Sequence, residues 1–128
     1  MKYVQNNYEI VKSVVDNLKL NEKKEICNGD FTDSPYVIYR EAIVDDNGNG
    51  VAFIDLYQTE DMDNVAIVIA RRSGCEYSNK GYATSLIERA IDIAKQNHWD
   101  LVWPVSESNI RSVKLAKHFN MNMEIRKH

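Results

Sequence analysis

The hydrophobic positions change period several times along the chain, and each change marks an element. Tyr8, Val11, Val14, Val15 and Leu18 recur at helical spacing, with Asn6 or Asn7 placed to cap the start. A short second helix is expected over Asn21 to Cys27, then a loop from Gly29 to Pro35. The runs Pro35 to Val44 and Val51 to Tyr57 read as strands. Asp45-Asp46-Asn47-Gly48-Asn49-Gly50 between them is a hairpin turn, because Asn and Gly tolerate positive φ. Val65 to Ala70 is a further apolar strand. A helix from Gly81 places Ala83, Leu86, Ile87, Ala90 and Ala94 on one face, with Asn97 as its left-handed end. Trp99 to Val105 is the next strand and contains Pro104, which cannot donate to a ladder. The helix after Asn109 has Ile110, Val113, Ala116 or Leu115, and Phe119 for its buried side, and Met121 to Ile125 closes as a short strand.

Composition narrows the picture without naming a chemistry. A chain of 128 residues, 44% hydrophobic, predicts one domain over 1–128 with one core. A net charge of −3 gives no reason to expect nucleic acid. No apolar run reaches the ~18 residues of a membrane span, and Met1 to Asn6 lacks the apolar centre of a signal peptide. Cys27 and Cys75 form no C-x-x-C pair, so reduced thiols and a cytoplasmic location are expected. Asp45, Asn47, Asn49 and Gly50 match the opening of a calcium loop. The twelfth position, however, is Leu56 rather than Glu, and a strand follows, so no metal is expected.

Chemistry concentrates in Tyr77 to Thr84, between an apolar strand and a helix start. The first N–H groups of a helix have no intrahelical partner, and the dipole adds positive charge there, which suits phosphate. Lys80 adds a cation, and Gly81 lets backbone approach a ligand. The same residues also suit an ordinary turn. A Walker loop is excluded, since five residues after Gly74 comes Asn79 and the Lys precedes its Gly; a G-x-G-x-x-G fingerprint is absent.

Ser78-Asn79-Lys80-Gly81-Tyr82-Ala83 instead matches five of six places of [Q/R]-x-x-G-x-[G/A]. Downstream, Asn109, Ser112 and Leu115 fit N-x-x-[S/A]-x-x-L-[Y]-x-x-x-G-F. Together these motifs resemble the GNAT superfamily of N-acetyltransferases, over roughly Val65 to Met121. The resemblance implies an α/β fold with a mixed, mostly antiparallel sheet, flanking helices and a short C-terminus, in which the strands Val65–Ala70 and Trp99–Val105 splay into a V. It implies acetyl-coenzyme A as cosubstrate, bound by Ile69, Ala70, Asn79, Lys80, Gly81, Tyr82, Ala83, Thr84 and Asn109. It implies direct attack of a primary amine, on a small molecule or a protein, on the thioester in a ternary complex.

The departures from the family pattern bear on catalysis. Ser78 replaces Gln or Arg, Asn120-Met121 replaces Gly-Phe, and Ala116 stands where the family's proton-donating Tyr is usual. Ser112, one turn earlier, is the candidate catalytic side chain, through a held water; Glu107, Glu60 and Asp61 are weaker candidate bases, and Cys75 with His118 a remote nucleophile pair. Asp63 with Glu60 and Asp61 would favour a cationic amine. An alternative is a coenzyme A-binding relative with little catalysis, serving as a sensor or interaction module. Only one closing strand fits where two are usual, so either the sheet is smaller or a partner, such as a second copy in a homodimer, supplies the other.

Overall fold

A computed structural model describes residues 2–22, 34–77 and 80–126. In chain order these form β1 (Lys2–Gln5), α1 (Tyr8–Glu22), β2 (Val37–Val44), β3 (Gly50–Tyr57) and β4 (Val65–Arg71), then a single 3-10 turn at Cys75–Tyr77, α2 (Tyr82–Asn97), β5 (Leu101–Ser106), α3 (Ile110–His118) and β6 (Asn122–Arg126). The six strands make one sheet in the order β1-β2-β3-β4-β5-β6. The first four are antiparallel to their neighbours, whereas β4–β5 and β5–β6 are parallel.

Period-two alternation sends the strand residues to two helical layers. Ala42 and Phe53 pack against Val11, Val14, Val15 and Leu18 of α1. Their neighbours Ile43, Ile54 and Leu56 face the other way, into a cluster that holds Leu86, Ile87 and Ala90 of α2 and Ala116 of α3. The sheet therefore has α1 on one face and α2 with α3 on the other.

Local chemistry sets the ends of these elements. Asn7 is the cap of α1: its Oδ1 accepts from Ile10 N–H at 3.2 Å. That helix runs on to Glu22 and so absorbs Asn21, where a second helix was expected to begin; residues 23–27 of that expectation, and 29–33 of the expected loop, lie outside the described residues. The left-handed residue after α2 is His98 (φ 58°), not Asn97, which remains helical. Trp99 N–H bonds Ala94 C=O and His98 N–H bonds Lys95 C=O, which satisfies two carbonyls the helix leaves open. The same closure ends α3, with Asn120 left-handed at φ 53° and Met121 N–H on Ala116 C=O. Asn120 thus does what glycine does in the family motif, and Met121 packs on the core. One expectation fails: Ile110 is 65% exposed, because the first turn of α3 stands clear of the sheet.

The parallel contact between β4 and β5 is short. Only Val65↔Leu101 and Ala66↔Val102 pair. Beyond them β4 stays on β3 as far as Ala52↔Arg71, while β5 stays on β6 from Val102↔Asn122 to Ser106↔Arg126. The sheet opens two residues before Pro104, where a missing N–H costs nothing on the side facing the gap.

At the hairpin, Asp45 Oδ1 accepts from the N–H groups of Asn47 and Asn49, both at 2.9 Å, and Gly48 sits at φ 80°. Those hydrogen bonds, Asn49's first, hold the Asp45 carboxyl below its usual pKa. Leu56, at the twelfth position of the calcium pattern, is buried in the core. Gly50 is where the hairpin meets α1: a Cβ there would lie 2.8 Å from Ile10 Cγ2, 3.0 Å from Ile10 O and 3.1 Å from Val14 Cγ2. Gly50→Ala is expected to destabilise the protein by ~1–3 kcal/mol through overpacking. Urea denaturation checks this; an unchanged midpoint would mean that α1 can shift away freely.

Candidate active site

The N-terminus of α2 lies at the C-terminal end of β4: Ser85 in its first turn bonds Tyr3, whose row across the sheet runs through Ile43 and Ala52 to Arg71. Gly81 precedes the helix in the left-handed region, φ 77° and ψ 12°, and as the N-cap residue it makes no side-chain cap bond among the described residues. The first ladder bond is Ser85 N–H to Gly81 C=O at 2.9 Å, so the N–H groups of Tyr82, Ala83 and Thr84 precede the ladder. A Cβ on Gly81 would meet nothing within 4 Å, so backbone conformation, not crowding, selects glycine here. Lys80 beside it is exposed. Ser78 and Asn79 lie outside the described residues.

Ile69 and Ala70 sit in the part of β4 that β5 has left. An interior strand directs alternate N–H and C=O groups to its two neighbours. From Ile67 to Arg71 the groups on the β5 side have no strand ladder among the described residues. Unladdered backbone and the bare helix end therefore occur at the same end of the sheet. Arg71, which the motifs did not single out, ends β4 there: it follows Ile67 and Ile69, whose side chains lie on the α2 face, and it pairs with Ala52 on that face. Its Nη1 donates to Arg72 C=O at 3.2 Å.

The second motif shapes the start of α3. Asn109 is its cap, with Oδ1 accepting from Ser112 N–H at 3.2 Å, and it is exposed. Ser112 is half-buried, and Ala116 is fully buried among core residues. Glu107 is exposed just beyond β5. Cys75, in the 3-10 turn, and His118, at the end of α3 with its ring edge against Phe119, are exposed and share no hydrogen bond among the described residues. Glu60, Asp61 and Asp63 precede β4, so a seven-residue strand, ~20 Å long, separates them from its open end. Asp61 there accepts from Thr59 Oγ1 at 2.6 Å. The geometry does not bring these acids to the splay.

Besides its apolar face, α2 meets the sheet through a polar cluster that the pattern of the sequence did not reveal. Glu41 on β2 is fully buried. Arg89 of α2 holds its carboxylate with two bonds, Nε to Oε1 at 2.6 Å and Nη2 to Oε2 at 2.8 Å. Tyr39 donates its hydroxyl to Oε1 at 2.9 Å, and Gln5 of β1 reaches Oε2 at 3.5 Å. The outer face of the Arg89 guanidinium lies over the Tyr3 ring, 4.0 Å from its centroid. The Tyr3 hydroxyl bonds Ser85 Oγ. Burial alone would raise the Glu41 carboxyl, but Arg89 and Tyr39 draw it below its usual value. Burial, with Glu41 second, pushes Tyr39 up to about 12. On the opposite face Arg40 and Asp55 form a second buried pair, two bonds of 2.8 Å, with Arg40 5.5 Å from the Tyr8 ring centroid.

The fold and sequence were compared with known proteins. A family model described as the acetyltransferase (GNAT) family matches residues 10–121. A tetramutant of the BH1408 protein from Bacillus halodurans superposes with TM-score 0.68 at 14% identity, covering 100% of this chain and 97% of that one. A ribosomal-protein-alanine N-acetyltransferase from Brucella melitensis biovar Abortus 2308 gives TM-score 0.61 at 16% identity, over 93% and 91%. The aminoglycoside N-acetyltransferase AAC(6')-Iy, in complex with CoA, gives TM-score 0.62 at 17% identity, over 91% and 88%. No curated protein sequence matches the chain.

The buried carboxylate makes stability depend on pH in a stated direction. Its folded pKa lies below the unfolded value near 4.5, so its stabilisation is present above that pH and is lost as pH falls through the folded value. Urea denaturation from neutral to strongly acidic pH should show stability falling below pH 4.5. Glu41→Gln should be less stable at neutral pH and have a shallower acid slope. Parallel curves for the two proteins would show that Glu41 is not the titrating group.

Proposed function

The chain belongs to the acetyltransferase (GNAT) family, and on that footing we propose that it is an N-acetyltransferase moving the acetyl group of acetyl-coenzyme A to a primary amine, in a cytoplasmic setting. The observation that carries this is the coincidence, at one end of the sheet, of a β4 segment without a β5 ladder and an α2 start without a cap. Backbone N–H groups of Tyr82, Ala83 and Thr84, with Lys80, hold the pyrophosphate, and Asn79 belongs to the same loop. Arg71 supplies beside that loop the cation that Ser78 does not. Of Ile69 and Ala70, whose backbone groups alternate in direction, Ile69 turns its own to the opening, for the pantetheine arm and the thioester carbonyl, while Ala70 pairs with Phe53 of β3; a donor aimed at the carbonyl oxygen stabilises it as negative charge develops. Asn109, at the tip of α3, lines the other wall of the opening.

In the reaction the neutral amine nitrogen attacks the carbonyl carbon, the C–S bond breaks, and an amide and a thiolate form. The amine nitrogen loses one proton and the thiolate takes one up. Ala116 supplies neither, and full burial closes its position to water. A free thiol has a pKa of ~8.5, so the thiolate leaves tolerably without a side-chain acid. Ser112, half-buried one turn before Ala116, positions a water for that proton.

Three outcomes test this reading. Coenzyme A at ~100 times its dissociation constant should stabilise the protein by ~2.7 kcal/mol. Gly81→Val should abolish that gain while leaving a folded protein, because a β-branched residue resists φ 77°; an undiminished gain would move the phosphate site elsewhere. In an amine-panel assay of thiol release, Ser112→Ala should cost less than ~10-fold, well under the ~100- to 10,000-fold of a true general acid. A loss of ~1000-fold with cofactor affinity intact would make Ser112 that acid. Coenzyme A binding with no turnover on any amine would replace the enzyme with a coenzyme A-binding relative.

A further inference from the structure

The cluster around Glu41 reaches the proposed phosphate site through one side chain. Ser85 is the first residue of α2 whose N–H enters the helix ladder, directly after the three N–H groups left for a ligand. Its hydroxyl is bonded to Tyr3, a residue of an edge strand that is remote in sequence. Tyr3 is itself held: its ring lies on Arg89, one turn further along α2, and Arg89 is fixed by a carboxylate with no exposure at all. β1 adds register to this, since Tyr3 pairs with Ile43 and Gln5 with Glu41, on the face that α2 covers. The hydrogen bonds and the stacking contact thus lead from a buried charge through β1 to the first turn of α2. The N-cap residue Gly81 has no side chain to cap that turn.

We propose that Tyr3 is a positioning residue for the cosubstrate: by bracing Ser85 and stacking on Arg89, it orders the first turn of α2 and so sets the affinity for the phosphates of coenzyme A. The inference rests on the functional reading above. Tyr3 touches no reacting atom, so its loss changes cosubstrate affinity and leaves the chemical step alone. An unbraced first turn has to be ordered at the moment of binding, and that ordering weakens the complex.

Tyr3→Phe separates the brace from general packing, because it keeps the ring on Arg89 and removes only the hydroxyl. Two readouts are taken on the intact chain: amide exchange at Ser85 to Glu88, and the dissociation constant of coenzyme A by calorimetry. Exchange should quicken, and binding should weaken about three- to ten-fold, the worth of one hydrogen bond. Ser85→Ala should do the same, and the double variant no more than either single one. With saturating coenzyme A, turnover should be unchanged, so the effect falls on KM alone. Gly50→Ala, which strains the far side of the sheet, should leave the affinity unaltered and so excludes a general loss of stability. Unchanged exchange in Tyr3→Phe would overturn the brace whether or not coenzyme A binds. Quickened exchange with unchanged affinity would overturn its role in binding. Additive losses in the double variant would overturn the coupling. A wild-type chain that binds no coenzyme A would refute the functional reading, and the positioning role with it.

Discussion

The structure depends on two residue pairs. Val65↔Leu101 and Ala66↔Val102 are the whole of the ladder between β4 and β5, and every other feature of the candidate site follows from where that ladder stops. A longer ladder would consume the β4 backbone groups that now face the opening. No ladder at all would leave the two arms joined by side-chain packing in their common cluster. Two pairs hold the arms in register and leave Ile67 to Arg71 on one side, and Trp103 to Ser106 on the other, free of each other. Pro104 reinforces the choice, because a strand containing it makes a poor central partner on both edges.

An opening of this kind is useful only if the helix beside it stays in place. The apolar face of α2 supplies most of that hold: Leu86, Ile87, Ala90 and Ala94 are buried. Apolar packing tolerates sliding, however, whereas a bidentate carboxylate–guanidinium pair does not. Glu41 and Arg89 supply that directional contact. A buried ion pair is weak evidence for net stability, because both ions lose water on burial. Here Arg89 keeps a side-chain exposure of 44% and part of its hydration, while Glu41 keeps none. The pair therefore works as a register pin between α2 and β2. The Arg40–Asp55 pair, buried on both partners, joins β2 to β3 on the α1 side in the same way.

Much of this was legible in the sequence, for a physical reason. The helices bury one face against the sheet, and β2 and β3 are buried on both faces, so a helical period and continuous apolar runs are visible without knowledge of the partner. The loop at Gly81 was legible because a left-handed residue before a helix admits few residue types. What escaped notice depends on contacts distant in sequence. β1 is four residues, exposed along most of its length, and exists because β2 offers it an edge. Glu41 is a carboxylate within a strand run; Arg89, 48 positions later, supplies the charge that its burial needs, with Tyr39 and Gln5 beside it. Ile110 carries the right period but lies beyond the end of the sheet, where no partner surface remains. His98 rather than Asn97 took the left-handed position because the helix runs one residue further than the turn residue suggested. The acids Glu60, Asp61 and Asp63, read as favouring a cationic amine, precede β4 and so lie a strand's length from its open end.

In the proposed function the parted segment of β4 and the start of α2 form one ligand site. Titration of isotope-labelled protein with coenzyme A, followed by amide chemical shifts, tests it most directly. Saturable shifts are expected at Ile69 to Arg71 and Lys80 to Ser85, with Gly50 and the hairpin unmoved. Saturable shifts elsewhere on the sheet, or none at any concentration, would contradict it.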